Sequence, residues 1–328
     1  MRMQRKLAGL RRAAAAALLA ALLTVSAAAA LPEKLIPGGN AVGIQLCAQG
    51  LMVTEVEAGS CAARAGIKKG DILLCANGKT LDGIEPLLAE LQAEGALELR
   101  IRRAEQEKAL SLQPERKQGR AHLGLTLRQS VAGIGTLTYY NPQDGSFGAL
   151  GHGVNDQSSL RLLPIASGRL IPAGVQEVKK GARGAPGELH GVFEPGQTLG
   201  SVEKNTDFGI FGTLCAPPAG AALPVAAAEE VQPGPALIYA NVDGTQVQAF
   251  TVELERVEEK AENGRNLLLR VTDPALLKRT GGIVQGMSGS PIVQNGRLVG
   301  AVTHVLVNQP ERGYGVLIQT MLQAAEED

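Results

Sequence analysis

The sequence predicts a mostly β protein of two modules, and three observations carry that expectation. The chain has 328 residues, room for about two domains. It holds 41 glycines that punctuate short runs of Val, Ile and Leu, the pattern of strands joined by tight turns. Helical spacing recurs at only a few places: Ile84, Leu87, Leu88 and Leu91, then Pro274 to Lys278, then the tail after Leu317. Apolar residues make up 45% and charged residues 20%, which suits a soluble globular fold. Formal net charge is zero, so electrostatics gives no reason to expect a nucleic-acid partner.

Residues 1–30 are set apart from the fold. Arg2, Arg5, Lys6, Arg11 and Arg12 form a basic leader, an almost uncharged run follows from Ala13, and Ser26-Ala27-Ala28-Ala29-Ala30 supplies small residues for cleavage. This is an export signal or, left uncleaved, an N-terminal membrane anchor. Either way the protein is expected to work across the cytoplasmic membrane. The four cysteines, Cys47, Cys61, Cys75 and Cys215, fit no zinc spacing. Buried thiols are expected, with one disulfide among the first three left open.

The first module spans residues 37–114. Two strands are expected around Ala48-Gln49-Gly50, then a helical turn ended by Gly66, then a strand through Ile72 to Ala76 closing at Asn77-Gly78. The string AARAGIKKGDILLCANGK, with AVGIQL before it, resembles a PDZ domain of the bacterial protease-associated type. The resemblance implies a peptide-binding strand made by Val42, Gly43, Ile44, Gln45 and Leu46, with an extended peptide adding to its edge. Leu87 and Leu91 then either line the far side of that groove or belong to the core. A polar linker is expected over residues 115–121 and a second, barrel-rich module over residues 122–328.

The chemistry gathers at Gly286-Met287-Ser288-Gly289-Ser290-Pro291. Small residues let the backbone turn sharply and aim the N–H groups of Gly286 and Ser288 at one point, as an oxyanion hole requires. Strands follow instead of a helix, which argues against an α/β-hydrolase elbow. An ordinary Gly/Ser turn is the competing reading. A serine needs a base, and of His122, His152, His190 and His304 only His152 sits between glycines at a strand end. His304, in a Val-rich strand, reads as packed or partly buried. His before Ser, with an acid between, is the chymotrypsin-type order. The residues alone leave the acid open among Asp273, Asp207 and Asp156.

GIGTLTYYNP, FGALGHGVND and VTDPALLKRTGGIVQGMSGSPIVQNGRLVGAVTHVLVNQPERGYG, behind a leader and a PDZ-like module, resemble the stage IV sporulation protein B serine peptidase family. The resemblance implies a chymotrypsin-like double β-barrel peptidase with His152, Asp273 and Ser288 as its triad. Met287 departs from ordinary trypsin-like enzymes, which carry Asp before the serine, so activation by a new N-terminus is not expected. The resemblance also implies self-cleavage and cleavage of a membrane-protein regulator that restrains an intramembrane metalloprotease, in the space around the forespore. The PDZ ligand would be a peptide, the chain's own included. No cofactor or metal is expected. An inactive scaffold is the rival from another class, and a dyad using Lys278 is a weaker enzymatic one.

Overall fold

The computed structural model describes residues 31–104, 106–156, 160–194, 196–261 and 263–327, so the expected leader lies outside the described residues. From Glu33 onward the chain forms one compact unit. No described helix is long and apolar enough to cross a membrane.

Strand β1 (Ala41–Val56) sets the plan. The sequence reads as two strands broken near Gly50, but the structure keeps one strand of 16 residues with an irregularity there. Gly50 makes this feasible, because its φ is +107° and a Cβ would run into the Leu73 carbonyl. The two halves serve different sheets. Leu51 and Met52 pair with β2 (Ile72–Ala76), which continues to β3 (Leu97–Arg103) and β4 (Gln106–Leu112). With α1 (Cys61–Arg64), capped by the Ser60 hydroxyl, and α2 (Ile84–Glu90), these strands make the PDZ module. Its Lys-Gly-Asp string has a structural cause: Asp71 is 1% exposed, accepts two 2.7 Å bonds from Arg103 and takes the Lys68 N–H at 2.8 Å.

The other half of β1 belongs elsewhere. Ala41 to Cys47 pair with β5 (Leu125–Tyr140), and Val42 to Ala48 pair on the opposite edge with β7 (Ile165–Lys179). From β5 the pairing runs through β6 (Ser146–Ala149), then β10 (Gly209–Leu214), then β9 (Gly200–Thr206), and returns to β7. These strands close a first barrel. A hairpin strand, β8 (Glu188–Phe193), extends from β7. The second barrel is closed by β11 (Gly234–Ala240), β12 (Gln248–Val257), β13 (Leu267–Val271), β16 (Gln309–Leu317), β15 (Arg297–Leu306) and β14 (Pro291–Gln294), in that order. Helix α3 (Pro274–Thr280) leads from β13 toward β14, and α4 (Ile318–Glu326) ends the chain.

The PDZ module precedes most of the peptidase module in the chain, and the strand residues before it, 41–48, already join the first barrel, so that it lies between the first two strands of that barrel. Two corrections follow from this pairing. Val42, Gly43, Ile44, Gln45 and Leu46, expected to receive a peptide, are hydrogen-bonded on both edges and offer none. Residues 115–121, expected as a linker, lie largely in a small hairpin of Glu115–Lys117 and Arg120–His122.

Each module has its own core. Ile44, Leu46, Phe147, Leu170 and Ile210 fill the first barrel, and Ile238, Leu254, Leu269, Ile292 and Val302 fill the second. Leu51, Leu73, Leu87, Leu99 and Ile101 fill the PDZ module. Burial of each such side chain stabilises by about 1.5–3 kcal/mol before entropy is counted. Leu87 and Leu91 are both core residues, whereas Leu88 is exposed.

The insertion makes a prediction about fragments. Cys47 and Ser130 are opposed across β1 and β5, so a short Asn-Gly turn can join them. A chain from Glu33 with residues 48–129 replaced by that turn is expected to fold, giving a cooperative thermal transition. A fragment of residues 122–328 lacks a barrel strand and is expected to show none. Cooperative unfolding of that fragment alone would contradict the closure.

Candidate active site

The loop after α3 is shaped by its glycines. Asp273 caps the helix: one carboxylate oxygen accepts from the N–H groups of Ala275 at 2.9 Å and Leu276 at 3.0 Å, and Pro274 occupies the first turn. Gly281 ends α3 in the left-handed region, at φ +77°. Gly289, at φ +97°, sits where any Cβ would run into the Thr136 carbonyl on β5. Met287, in the place of the expected departure from trypsin-like enzymes, is fully buried in the core of the second barrel and anchors the loop by apolar packing.

Between Gln285 and Ser290 the N–H groups divide into two sets. Gln285 donates to Gly187, Met287 to Val284 at 3.1 Å, Gly289 to Val302 at 2.7 Å and Ser290 to Met287 at 3.0 Å. The N–H groups of Gly286 and Ser288 have no acceptor among the described residues. In a loop that otherwise satisfies its donors, two alternate N–H groups left over are what an oxyanion hole needs.

Ser288 and His152 line one cleft of about 520 Å³, with Gly286, Ile283, Val284, Thr303 and His304 around them. The Ser288 hydroxyl donates to the Thr303 carbonyl at 2.7 Å. His152 follows β6 through Leu150 and Gly151, both at positive φ. A Cβ on Gly151 would press on the Thr303 side chain, so this turn needs its glycine. The His152 ring lies 2.9 Å by Nδ1 from the Gly153 carbonyl. A carbonyl accepts only, so Nδ1 carries the proton and Nε2 keeps its lone pair. That is the tautomer a general base requires.

Of the expected site residues, the structure brings Ser288, His152 and Gly286 together but not Asp273. Its carboxylate is committed to the α3 cap and to the Thr251 N–H, and it does not line the cleft. The rival Asp207 sits in the turn between β9 and β10. Its carbonyl accepts the Gly153 N–H at 3.2 Å, while its side chain is exposed and faces another cavity. Among the described residues no lysine lines the cleft, so Lys278 is not placed for a dyad. The four cysteines are free thiols, with Cys61 and Cys75 buried.

His304, expected to be packed or partly buried in its strand, lines the cleft with its ring centroid 5.0 Å from that of His152. Its position on β15 beside the serine loop is a product of barrel closure, which local sequence does not reveal. Burial holds the His152 imidazole below its ordinary value of 6.5, opposed by the Gly153 carbonyl. Burial, then His152 and Arg265, push His304 down to about 4.

The PDZ module also gains a feature that sequence reasoning missed. Over residues 125–129, β5 pairs with β1 on one edge, and no strand covers the other among the described residues. That edge lies beside the start of α2, where the Gln129 side chain donates to the Asp82 carbonyl at 2.6 Å. Gly124, at φ +71°, turns the chain into it and leaves no room for a Cβ against Ser60.

A family model described as SpoIVB peptidase S55 matches residues 119–322, and one described as PDZ domain matches residues 52–103. The second begins where β1 leaves the barrel. No curated protein matches the chain. Among solved structures, the active form of the Rv3671c protease from M. tuberculosis is similar at 16% identity, over 60% of this chain and 76% of that one, with a TM-score of 0.35. An inactive form of that protease is similar at 14% identity, over 59% and 85%, with a TM-score of 0.33. The PDZ domain of the SdrC-like protein from Listeria monocytogenes is similar at 15% identity, over 24% and 87%, with a TM-score of 0.23.

The histidine pair predicts a pH dependence. Both imidazoles titrate lower in the folded chain than the ordinary 6.5, so the unfolded chain binds more protons in that window. Their contribution is fully present above about pH 6.5 and is lost as pH falls toward 4. The melting temperature is expected to drop across that range, and to drop less in His304→Gln. Identical pH profiles for the two proteins would contradict the pairing.

Proposed function

Because the chain belongs to the SpoIVB peptidase S55 family and is a serine peptidase with a PDZ module, we propose that it is an exported regulatory endopeptidase of sporulation signalling. In this reading it cleaves itself and a membrane-protein regulator of an intramembrane metalloprotease, which allows a late sigma factor to become active. It works in the space around the forespore, with residues 1–30 as signal or anchor. The observation that carries the chemistry is the shared cleft of Ser288 and His152 beside two unpaired N–H groups.

The steps follow from that placement. The Ser288 hydroxyl leaves the Thr303 carbonyl, and His152 Nε2 takes its proton as Oγ attacks the scissile carbonyl. Charge then develops on the carbonyl oxygen, where the N–H groups of Gly286 and Ser288 receive it. His152 returns the proton to the leaving amine, and the C–N bond breaks. Water, activated by the same imidazole, hydrolyses the ester and restores Ser288. The Gly153 carbonyl keeps the tautomer, a task that an acid performs in the ordinary triad. Asp273 acts only by capping α3.

A second reading, an inactive scaffold, is favoured by one observation: the serine hydroxyl is bonded to a carbonyl and not to the imidazole. Self-cleavage of the expressed chain separates the two. Ser288→Ala and His152→Ala are each expected to abolish it with circular dichroism unchanged. Processing by both variants would defeat the enzyme reading. Asp273→Asn keeps a good cap and is expected to retain kcat within about tenfold, where a true triad acid would lose roughly 10⁴-fold.

For the PDZ module, a peptide is proposed to add as a strand to the open edge of β5 over residues 125–129, against α2. Backbone amide shifts on titration with a candidate C-terminal peptide are expected there and not at residues 42–46. Shifts confined to residues 42–46 would return the site to the strand expected from sequence.

A further inference from the structure

Every carbonyl from Gln285 to Ser290 has a donor, whereas two N–H groups of that stretch have no acceptor among the described residues. Gln285 accepts from the Leu189 N–H at 2.9 Å, Met287 from Ser290 at 3.0 Å and Ser290 from Val302 at 2.9 Å. The other three are held by a single strand. Thr136 on β5 donates its hydroxyl to the Gly286 carbonyl at 2.8 Å and its N–H to the Ser288 carbonyl at 2.9 Å. Thr138 donates its hydroxyl to the Gly289 carbonyl at 2.8 Å. Both threonines are buried, at 2% and 0% exposure, so no water competes for these bonds.

We propose that Thr136 is a positioning residue of this peptidase: its hydroxyl holds the 286–287 peptide plane so that the Gly286 carbonyl is kept out of the oxyanion hole. A peptide group is planar with its C=O and N–H antiparallel, so fixing a carbonyl fixes the plane. The Gly286 carbonyl lies between the two N–H groups of the hole along the chain. If its plane turned over, a carbonyl dipole would face the developing negative charge from between the two donors. Glycine at 286, at φ +98°, gives the chain little resistance of its own to that rotation. The buried Thr136 hydroxyl supplies the resistance at the carbonyl end of the plane, while the longer 3.1 Å bond from the Met287 N–H to Val284 holds the other end. Thr138 holds the 289–290 plane, which lies outside the stretch between the two oxyanion donors, and so bears less on the reaction.

This inference rests on the reading of Ser288 and Gly286 as nucleophile and hole, and its test keeps the two apart. The full chain is assayed with a peptide spanning its own processing site. Thr136→Val is isosteric and lacks the donor. It is expected to lower kcat about 10- to 100-fold, below the loss on removing an oxyanion donor outright, with KM changed less than about threefold. A peptide boronate, which places an oxygen in the hole, is expected to weaken by a similar factor. Thr136→Ser keeps the hydroxyl and is expected to restore kcat to within about threefold of wild type, whereas a purely packing role would leave it as impaired as the valine variant. Wild-type kcat in Thr136→Val, equal losses in Thr136→Ser, or a loss confined to KM would overturn the proposal. If Thr136→Val does not fold, Thr136→Ala replaces it, and failure of that variant to fold makes the bond structural and also overturns the proposal. Activity retained by Ser288→Ala would sink the site reading itself, whereas loss in Ser288→Ala with a silent Thr136→Val sinks only this inference.

Discussion

Strand β5 is hydrogen-bonded along one edge to β1 through both modules, and near its C-terminal end Thr136 and Thr138 bond the loop that carries Ser288. The rest of the molecule depends on that strand. It closes the first barrel, it lends its first residues to the PDZ sheet, and it holds three peptide planes of the Ser288 loop through the carbonyls of Gly286, Ser288 and Gly289. A barrel has no free edge to deform, so a loop tied to one of its strands is held with the rigidity of the closed sheet. Catalysis by preorganised N–H groups needs that rigidity, because the donors must already point at the oxyanion when charge develops.

The insertion of the PDZ module follows from the same strand. β1 and β5 are neighbours in the barrel, and the connection between them is a whole folded unit where a turn would suffice. This is tolerated because the ends of the insertion, Cys47 and Ser130, stay paired whatever lies between them. It also moves the open strand edge of the module from the residues before it to the residues after it. An edge over residues 125–129 lies on the same continuous strand as Thr136, with no loop between them.

Much of the site was legible in the sequence because its signals are local. Glycines at 281, 282, 286 and 289 announce a loop that only unhindered backbone can form, and all four take positive φ. His152 between glycines announces a side chain presented at a turn. Alternation and Gly/Pro punctuation gave the barrels. What failed was non-local. The alternation of Val42 to Leu46 says that they form a strand, but not that β5 and β7 occupy its edges, since those partners are far away in sequence. His304 reached the cleft for the same reason. Asp273 is the opposite case: Asp before Pro at a helix start is a capping signal written in adjacent residues. The family resemblance implied a triad role for it instead, and the geometry places its carboxylate at the cap.

The central claim is that Ser288 is the nucleophile of a hole built from its own loop, with the hydroxyl resting on Thr303 until substrate arrives. A crystal structure of the chain after reaction with a fluorophosphonate tests this most directly. The account predicts phosphorus bonded to Ser288 Oγ, the phosphoryl oxygen on the N–H groups of Gly286 and Ser288, and His152 Nε2 within hydrogen-bond reach of the adduct. An unmodified Ser288 still bonded to Thr303, or an adduct whose oxygen points away from those two N–H groups, would contradict it.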